Sequence, residues 1–399
     1  MKQIPNELLR CPGFISEVMD HCLATAPYPN VSMAFLAAVA LQSFLCGRKI
    51  RDPSDNRPNL YLLCLANSGA GKDWPRKVNV RIMREIGQSA CVVSRFASGA
   101  ALQESLAREP VLLAQTDEMD EMISQLDSGE SRFRDLEEML MEIFSASNSV
   151  FSIRRRAMDG AVPREVLAPS LTILGTAVPA HYYAAMNYRF LTNGLFSRFV
   201  TIESDKRPDG QNASTVAVPK RVIVTARKWK DRGDQLLTVP WGKGVKGLVN
   251  EIRQDIDGSK YKRAESDGDG VKMTLWSRVV EKLLKFALIQ AASKSINPKV
   301  TQEDVIWARN LIVSLTETTL ESAKNRVSNS VFDGHCLGLL SLIRGHNGQI
   351  SHSKLLRLSK LDALFLKKVV NTLKERGDLA ISLSRTGGRD VTTYSMVMT

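Results

Sequence analysis

Apolar residues along this chain follow two different spacings, and their alternation predicts a mixed α/β fold. Residues 14–46 carry apolar side chains at helical spacing, which predicts a helical N-terminal segment over residues 1–50. Short apolar runs at residues 59–65, 111–114 and 171–174 are bounded by turn-forming, small or acidic residues and predict buried strands. Helical stretches lie between these strands, so we expect a mostly parallel sheet.

The second half of the chain predicts two further regions. A polar stretch containing Pro and Gly follows residue 203, and helical spacing returns at residues 243–327, so residues 206–330 are predicted to form a linker and a helical lid. Residues 331–399 predict three helices followed by two strands joined at a glycine turn. Three helices and a β-hairpin describe a winged helix.

A glycine-rich loop follows the first predicted strand and predicts a phosphate-binding P-loop. Its residues are Asn67, Ser68, Gly69, Ala70, Gly71, Lys72 and Asp73. Backbone N–H groups in such a loop bind phosphate, and Lys72 is expected to contact the β and γ phosphates of ATP. Ala66 and Asp73 depart from the G-x-x-x-x-G-K-[ST] pattern. A carboxylate at Asp73 either helps to hold Mg²⁺ or repels the triphosphate, and the sequence leaves both open.

The second and third strands end in polar residues suited to ATP hydrolysis. Asp117 and Glu118 follow the second strand, where Asp117 is expected to orient Mg²⁺ and Glu118 to polarise a water molecule. Acids at a strand end are commonplace, but their order after Lys72 favours this catalytic pair. Thr176, near the end of the third strand, is a candidate sensor of the γ phosphate; the alternative is an ordinary strand threonine. Residues 51–205 are therefore the predicted ATPase core.

Two arginines complete the predicted nucleotide site. Arg198, in Gly194-Leu-Phe-Ser-Arg198-Phe199, is a candidate arginine finger that reaches the γ phosphate of a neighbouring subunit. Arg278, in the predicted lid, is a candidate second sensor of bound nucleotide. The alternatives are a surface ion pair for Arg198 and an exposed helical arginine for Arg278.

The charge of the chain favours a polyanionic partner. Its 54 Lys and Arg residues exceed its 42 Asp and Glu residues, giving a net charge of +12 and a pI near 9.4. One basic cluster is the tip of a predicted hairpin, formed by Arg154, Arg155 and Arg156, which is either a contact to the DNA backbone or a solvated charge cluster. A second set lies in the predicted winged helix and comprises Lys354, Arg357, Lys360, Lys367, Lys368, Arg385 and Arg389. Winged helices bind either DNA or proteins, and the basic residues favour duplex DNA.

Cysteine usage and hydropathy bear on localisation. The six cysteines form no Cys-x-x-Cys pair, so neither a zinc site nor a disulfide framework is predicted. Residues 31–46 form the most apolar stretch and are too short to span a bilayer comfortably, and the N-terminus has no long apolar core. We therefore expect a cytoplasmic protein without a membrane anchor.

With these motifs in this order, the sequence resembles the replication helicases of phages, plasmids and phage satellites that are related to minichromosome-maintenance (MCM) helicases. The Ser197-Arg198-Phe199 triplet looks like the MCM arginine-finger motif, and Arg154 to Arg156 lie where the pre-sensor-1 hairpin would be. The Asn59-Leu-Tyr strand that leads into Ser-Gly-Ala-Gly-Lys72 also looks like the phage group.

The resemblance implies an AAA+ P-loop ATPase that forms a homo-hexameric ring and uses ATP and Mg²⁺ to move along DNA in a bacterial host cytoplasm. Lys72, Asp117, Glu118 and Thr176 would act in one subunit, and Arg198 would come from its neighbour. Single-stranded DNA would occupy the pore and duplex DNA the winged helix.

Two other functions stay open at this point. No zinc-binding or OB-type N-terminal domain is recognisable, which departs from cellular MCM proteins. Ala66 and Asp73 raise the alternative of a nucleotide-regulated DNA-binding or helicase-loader protein with weak or no hydrolysis. An adaptor with a vestigial P-loop is the third interpretation.

Overall fold

The structure is a computed structural model and describes residues 4–127, 131–153, 165–204, 206–233, 235–327, 331–386 and 389–397. The predicted DNA-contacting residues Arg154, Arg155 and Arg156 lie outside the described residues. The chain divides into two compact units, Met1–Glu321 and Ser322–Thr399, which are described separately.

The first unit combines helices with short strands. The strands are β1 (Ile50–Arg51), β2 (Tyr61–Ala66), β3 (Val92–Val93), β4 (Val111–Thr116), β5 (Val150–Ser152), β6 (Glu165–Leu167), β7 (Ser170–Ala177), β8 (Phe199–Ser204) and β9 (Leu237–Thr238). The helices are α1 (Phe14–Thr25), α2 (Val31–Cys46), α3 (Asp73–Glu85), α4 (Gly99–Arg108), α5 (Met119–Asp127), α6 (Ser131–Ser145), α7 (Pro179–Ala185), α8 (Tyr188–Thr192), α9 (Leu195–Arg198), α10 (Lys220–Lys230), α11 (Val245–Asp255), α12 (Lys262–Ser266), α13 (Gly270–Trp276), α14 (Val279–Lys294) and α15 (Gln302–Arg326), the last of which begins in this unit.

A five-stranded parallel sheet in the order β3-β4-β7-β2-β8 forms the centre of this unit. Because the strands are parallel, β2, β4 and β7 all end at one edge, marked by Ala66, Thr116 and Ala177, which we call the strand-end edge. The opposite edge, where Tyr61 and Phe199 begin β2 and β8, is the strand-start edge. The expected mixed α/β fold with a parallel sheet is thus present. Two smaller pairs, β1 with β9 and β5 with β6, lie outside the sheet.

Helix α2 packs the N-terminal segment against the central sheet. Its residues from Met33 to Cys46 are all buried, and they share one hydrophobic core with β2, β8 and α14. The side chain of Asn30 caps the helix by accepting a hydrogen bond from the backbone N–H of Met33 at 3.0 Å. A helix that is apolar all round needs neighbours on every side. The segment is therefore an integral layer of the fold.

Among the described residues, one helix is long and apolar enough to cross a membrane, Val31–Lys49. It is the same segment as α2 with its short extension. Within its most apolar window, 83% of the residues are buried inside the protein, which is the pattern of a core helix.

The stretch predicted as a linker packs against the body of the first unit. Gln211 donates from Nε2 to the carbonyl oxygens of Leu23 and Ala26 at 2.7 and 2.8 Å. The backbone N–H of Ser214 donates to the carbonyl of Thr25 at 3.0 Å. Residues 206–218, which we call the strap, thereby cover the connection between α1 and α2.

The second unit contains α16 (Val331–Arg344), β10 (Gln349–Ser351), α17 (His352–Ser359), α18 (Ala363–Glu375), β11 (Leu379–Thr386) and β12 (Arg389–Met396). The three helices and the hairpin lie where the sequence predicts them. The short strand β10 was not predicted and pairs with β12, giving an antiparallel sheet in the order β10-β12-β11. Leu366, Val369, Val370 and Leu373 of α18 pack into the core of this unit with Tyr394 of β12.

Two buried lysines join α14 to the strand-start edge. Lys282 donates from Nζ to the carbonyl of Phe199 at 3.3 Å, and Lys285 donates to Oδ1 of Asn59 at 2.6 Å. Both side chains are almost fully buried. Burial lowers the pKa of each lysine to about 8, and the nearby carboxylate of Glu281 only partly opposes this shift.

We expect Lys282→Met to stabilise the protein at pH 7 by about 1–3 kcal/mol, because it replaces a buried ammonium with an apolar side chain of similar length. Folding lowers the pKa of Lys282 from 10.5 to about 8. The buried charge therefore lowers the free energy of unfolding by its full amount below pH 8, and this loss disappears as the pH rises from 8 to 10.5. The advantage of the variant should disappear over the same range.

Denaturant unfolding of the parent and the variant between pH 7 and 10.5 measures this difference. Lys228→Met, at an exposed position of α10, is the control and should be close to neutral throughout. An advantage for Lys282→Met that stays constant across the range would contradict the account.

Candidate nucleotide-binding site

The predicted P-loop connects β2 to α3 at the strand-end edge. Gly69 and Gly71 have φ values of +75° and +82°, in the left-handed region that glycine adopts without strain. A Cβ atom on Gly71 would lie 2.2 Å from the carbonyl oxygen of Tyr28, so any side chain at this position would also clash with that backbone. Asn30 donates from Nδ2 to the carbonyl of Ala70 at 3.0 Å. The connection between α1 and α2 therefore holds the loop in shape.

Lys72 stands at the N-cap of α3, and Asp73 is the first residue of that helix. The first N–H groups of a helix have no partner within the helix and favour anions. The glycine loop, the lysine and the helix start together form a cradle for phosphate oxygens.

Asp117 follows β4 and is the most connected side chain at this edge. Its Oδ1 accepts hydrogen bonds from Oγ1 of Thr176 at 2.6 Å and from the backbone N–H of Glu118 at 3.0 Å. Its Oδ2 accepts from Nη2 of Arg76 at 2.7 Å. Burial alone would raise the pKa of Asp117, but the hydrogen bonds from Thr176 and Arg76 outweigh it and lower the pKa. The carboxylate is thus held ionised and oriented.

Glu118 has an unusual backbone conformation next to Asp117. Its φ of +53° lies in the left-handed region, which costs a non-glycine residue free energy and is found mainly where function requires it. Its side chain is exposed at the junction between β4 and α5. Glu118 therefore adds a solvent-exposed carboxylate to this edge, next to that of Asp117.

Arg76 is one of the residues at this edge that the sequence motifs do not predict. Its Nη2 donates to Oδ1 of Asp73 at 2.5 Å as well as to Oδ2 of Asp117, so one nitrogen joins both predicted metal ligands. Arg76 lies three residues after Asp73 on a helix, and this spacing predicts the first of the two contacts. The second contact depends on how α3 packs against β4, which no local pattern reveals.

The side chains at this edge fit Mg²⁺. The ion prefers oxygen ligands and is commonly held by one or two carboxylates together with substrate phosphates. Asp73 and Asp117 supply two carboxylates beside the phosphate cradle, and the side chain of Asp73 is 65% exposed. In this structure the guanidinium of Arg76 stands between them.

Arg198 and Arg278 lie at the other edge of the sheet. Arg198 directly precedes β8, so it is at the strand-start edge, and its pKa is lowered mainly by burial and next by the charge of Arg278. Arg278 forms an ion pair with Glu281 at 3.0 Å. Neither arginine is placed to contact a nucleotide at Lys72 of the same subunit. The sequence predicts Arg198 as a site residue from its order in the chain. It lies at the opposite edge from Lys72 because β8 begins directly after Arg198, whereas the P-loop follows the end of β2.

The side chain of Arg198 is turned inward. It is 8% exposed, donates from Nη1 to the carbonyl of Gly194 at 2.7 Å, and lies over the ring of Phe144. Its Nε atom is buried and has no hydrogen-bond partner among the described residues. The arginine is therefore held by contacts within this chain instead of projecting from its surface.

The strap brings a second unexpected arginine to the P-loop. Arg207 stacks on the ring of Tyr28 at 4.1 Å, and its guanidinium would lie 3.6 Å from a Cβ atom on Gly69. A positive charge thus lies next to Gly69 of the loop. No local sequence pattern predicts this contact, because the strap has the composition of a polar linker.

The predicted DNA-binding residues of the second unit separate into two groups. Lys354, Arg357, Lys360, Lys367 and Lys368 are exposed on or beside α17 and α18. Arg385 and Arg389 lie on the paired strands β11 and β12. The exposed face of α18 also carries Asn371 and Lys374, which sequence reasoning did not single out, and Leu364, which is 81% exposed.

The cysteines and the larger clusters of acidic residues are further potential metal ligands in the described part of the chain. All six cysteines are free and buried. Within the part of the chain that the structure describes, no group of three or more His, Cys, Asp or Glu side chains is arranged to hold a metal ion.

No protein-family model and no curated protein sequence matches this chain. Among solved structures, the crystal structure of the FIGL-1 AAA domain matches with 13% sequence identity and a TM-score of 0.23. The alignment covers 69% of this chain and 80% of that one. At this level of similarity, function has to rest on the residues of the site.

We expect Gly71→Ala to destabilise the protein by about 1–3 kcal/mol and to weaken nucleotide binding, because the added methyl group meets the Tyr28 carbonyl and the backbone is left-handed. Thermal unfolding and titration with a fluorescent ATP analogue measure the two effects.

Gly247→Ala is the matched control, because a Cβ atom at this helical position of α11 has no neighbour within 4 Å. That change should be neutral or slightly stabilising. Equal effects of the two substitutions would contradict the packing described for the P-loop.

Proposed function

We propose that this protein is an ATP-dependent DNA helicase or initiator-helicase of a phage or mobile element, working as an AAA+ ring in the cytoplasm of a bacterial host. The observation that carries the proposal is the meeting of Lys72, Asp117 and Thr176 at one edge of a parallel sheet. These residues are far apart in sequence, and the strand order brings their three strands side by side.

Each residue has a defined task in ATP hydrolysis. Lys72 and the loop N–H groups bind the β and γ phosphates, and Asp73 and Asp117 would hold Mg²⁺. The bound ion would neutralise the developing phosphate charge. Glu118 would orient the attacking water molecule, and Thr176 fixes the carboxylate of Asp117. The strained backbone of Glu118 supports its assignment as a catalytic residue.

The positions of Arg198 and Arg278 support action between subunits. Both lie at the strand-start edge, whereas the phosphate cradle lies at the strand-end edge. Head-to-tail contacts in a ring pair two different surfaces of the subunit, and we propose that the strand-start edge of one subunit faces the strand-end edge of the next. Arg198 then reaches the neighbour's γ phosphate after releasing the carbonyl of Gly194. A homo-hexamer is the assembly that the resemblance to MCM-related helicases implies.

The second unit supports contact with duplex DNA. Its three helices and antiparallel sheet have the element order of a winged helix, and α18 exposes Lys367, Lys368 and Lys374 on one face. A basic helix face binds phosphates, and the net charge of the whole chain acts in the same direction. We assign the contact with single-stranded DNA in the pore to Arg154, Arg155 and Arg156.

A second candidate function is a nucleotide-regulated DNA-binding or helicase-loader protein with weak hydrolysis. Arg76 favours it, because its guanidinium joins the two carboxylates that hydrolysis needs for Mg²⁺. The turnover rate distinguishes the two functions: a helicase shows DNA-stimulated ATP hydrolysis, and a loader binds ATP without it.

Mixing two inactive variants tests action between subunits. Lys72→Ala and Arg198→Ala should each abolish DNA-stimulated ATP hydrolysis. In rings formed from an equimolar mixture, about a quarter of the interfaces pair an intact Lys72 with an intact Arg198, so part of the activity should return.

The double variant mixed with either single variant is the control and should show no recovery. Thermal unfolding of Arg198→Ala and of Arg198→Lys checks that the buried position tolerates the change. Two folded, assembling single variants that fail to complement each other would contradict the trans role of Arg198.

We expect Lys367→Gln/Lys368→Gln to weaken duplex binding and to reduce the slope of log K against log salt by about two, since each lost phosphate contact removes roughly 0.9. Fluorescence anisotropy of a labelled duplex with the full-length protein, at several salt concentrations, measures both quantities. Lys246→Gln, at an exposed position of α11, is the control. Unchanged affinity and slope in the double variant would exclude α18 as a DNA contact.

A further inference from the structure

We infer that Arg76 is a built-in competitor of the metal ion: it occupies the Mg²⁺ position between Asp73 and Asp117 in the nucleotide-free protein and has to leave before the metal binds. The inference rests on the proposed nucleotide site and adds a residue that decides when that site accepts a metal ion.

The geometry of the contacts carries this inference. A single nitrogen, Nη2 of Arg76, lies 2.5 Å from Oδ1 of Asp73 and 2.7 Å from Oδ2 of Asp117. An Mg²⁺ ion shared by the same two oxygens would stand about 2.1 Å from each. The nitrogen and the ion would therefore occupy the same space, and both cannot be bound at once.

The surroundings hold Arg76 at this position. Its side chain is only 15% exposed, although Asp73 and Asp117 are 65% and 45% exposed. Its backbone carbonyl accepts a hydrogen bond from Nε2 of Gln115 at 3.4 Å, and Asn79 on the next turn of α3 donates to Oε1 of Gln115 at 3.1 Å. The buried face of α3 thus aligns Arg76 with β4, while the two carboxylates remain open to solvent.

Charge balance explains what the contact does. Two carboxylates that share one position repel each other unless a cation stands between them. In the nucleotide-free protein, Arg76 supplies that positive charge from within the chain. Free Mg²⁺ then gains little by binding, because it must displace a guanidinium that is already paired. A nucleotide adds phosphate charge beside Lys72, gives Arg76 new partners and favours the exchange. The metal is accordingly accepted together with the nucleotide.

Metal binding to the nucleotide-free protein tests the inference without any turnover. Mn²⁺ serves as the probe, and electron paramagnetic resonance counts the free ion. We expect Arg76→Gln to bind Mn²⁺ at least tenfold more tightly than the parent. The gain should disappear in Arg76→Gln/Asp117→Asn, because the second carboxylate is then missing. Arg84→Gln, at an exposed position in the last turn of α3, should behave like the parent.

Thermal unfolding provides a second, independent measurement. Without divalent metal, Arg76→Gln should have a lower unfolding temperature than the parent. Millimolar Mg²⁺ should raise the unfolding temperature of Arg76→Gln by more than it raises that of the parent. Arg76→Lys keeps a positive charge at one of the two carboxylates. Its unfolding temperature should therefore lie between those of the parent and Arg76→Gln, and it serves as the test variant if Arg76→Gln folds poorly.

Equal Mn²⁺ affinities in the parent, Arg76→Gln and Arg76→Lys would overturn the inference. Because the measurement contains neither nucleotide nor DNA, it stays informative if the protein proves not to be a helicase. Conversely, absent ATP hydrolysis together with the expected rise in Mn²⁺ affinity would reject the proposed function and keep the role of Arg76.

Discussion

The carboxylate of Asp117 joins the parts of the chain from which the candidate site is made. One of its oxygens binds Thr176 at the end of β7, and the other binds Arg76 on α3, directly after the P-loop. These two contacts connect the end of β4 with β7 and with α3. If Asp117 were displaced, Arg76 would keep only Asp73, and α3 would lose a link to β4. This one side chain therefore links β4, β7 and α3 at the strand-end edge.

The parallel sheet gives the protein two chemically different edges. The strand-end edge combines the glycine loop with exposed carboxylates, whereas the strand-start edge collects Arg198, Arg278 and the two buried lysines of α14. Among the described residues, the glycine loop and the carboxylates Asp73 and Asp117 lie at the first edge. The cations of the second edge are held by groups of the same chain: Arg198 by the carbonyl of Gly194, Arg278 by Glu281, and Lys282 by the carbonyl of Phe199.

Local patterns in the sequence predicted the elements that depend on neighbouring residues. The apolar run before Asn67 and the glycines after it predict a strand, a loop and a helix start, because these depend on backbone preferences and on spacing. The helices and hairpin of the second unit follow from the same rules. What the sequence did not reveal depends on contacts across the fold: Arg76 meets Asp117 only through the packing of α3 on β4, Arg207 reaches Gly69 only because the strap folds back, and Arg198 is buried because Gly194 and Phe144 surround it.

The central claim is that the loop around Lys72 and the carboxylates beside it form one nucleotide and metal site. A structure of the protein with a non-hydrolysable ATP analogue and Mg²⁺ tests this most directly. The account predicts phosphates in the loop between Gly69 and Lys72, a metal ion on Asp73 and Asp117, and the guanidinium of Arg76 displaced from both carboxylates. A nucleotide bound elsewhere, or one bound in this loop with Arg76 still bridging the two acids, would contradict it.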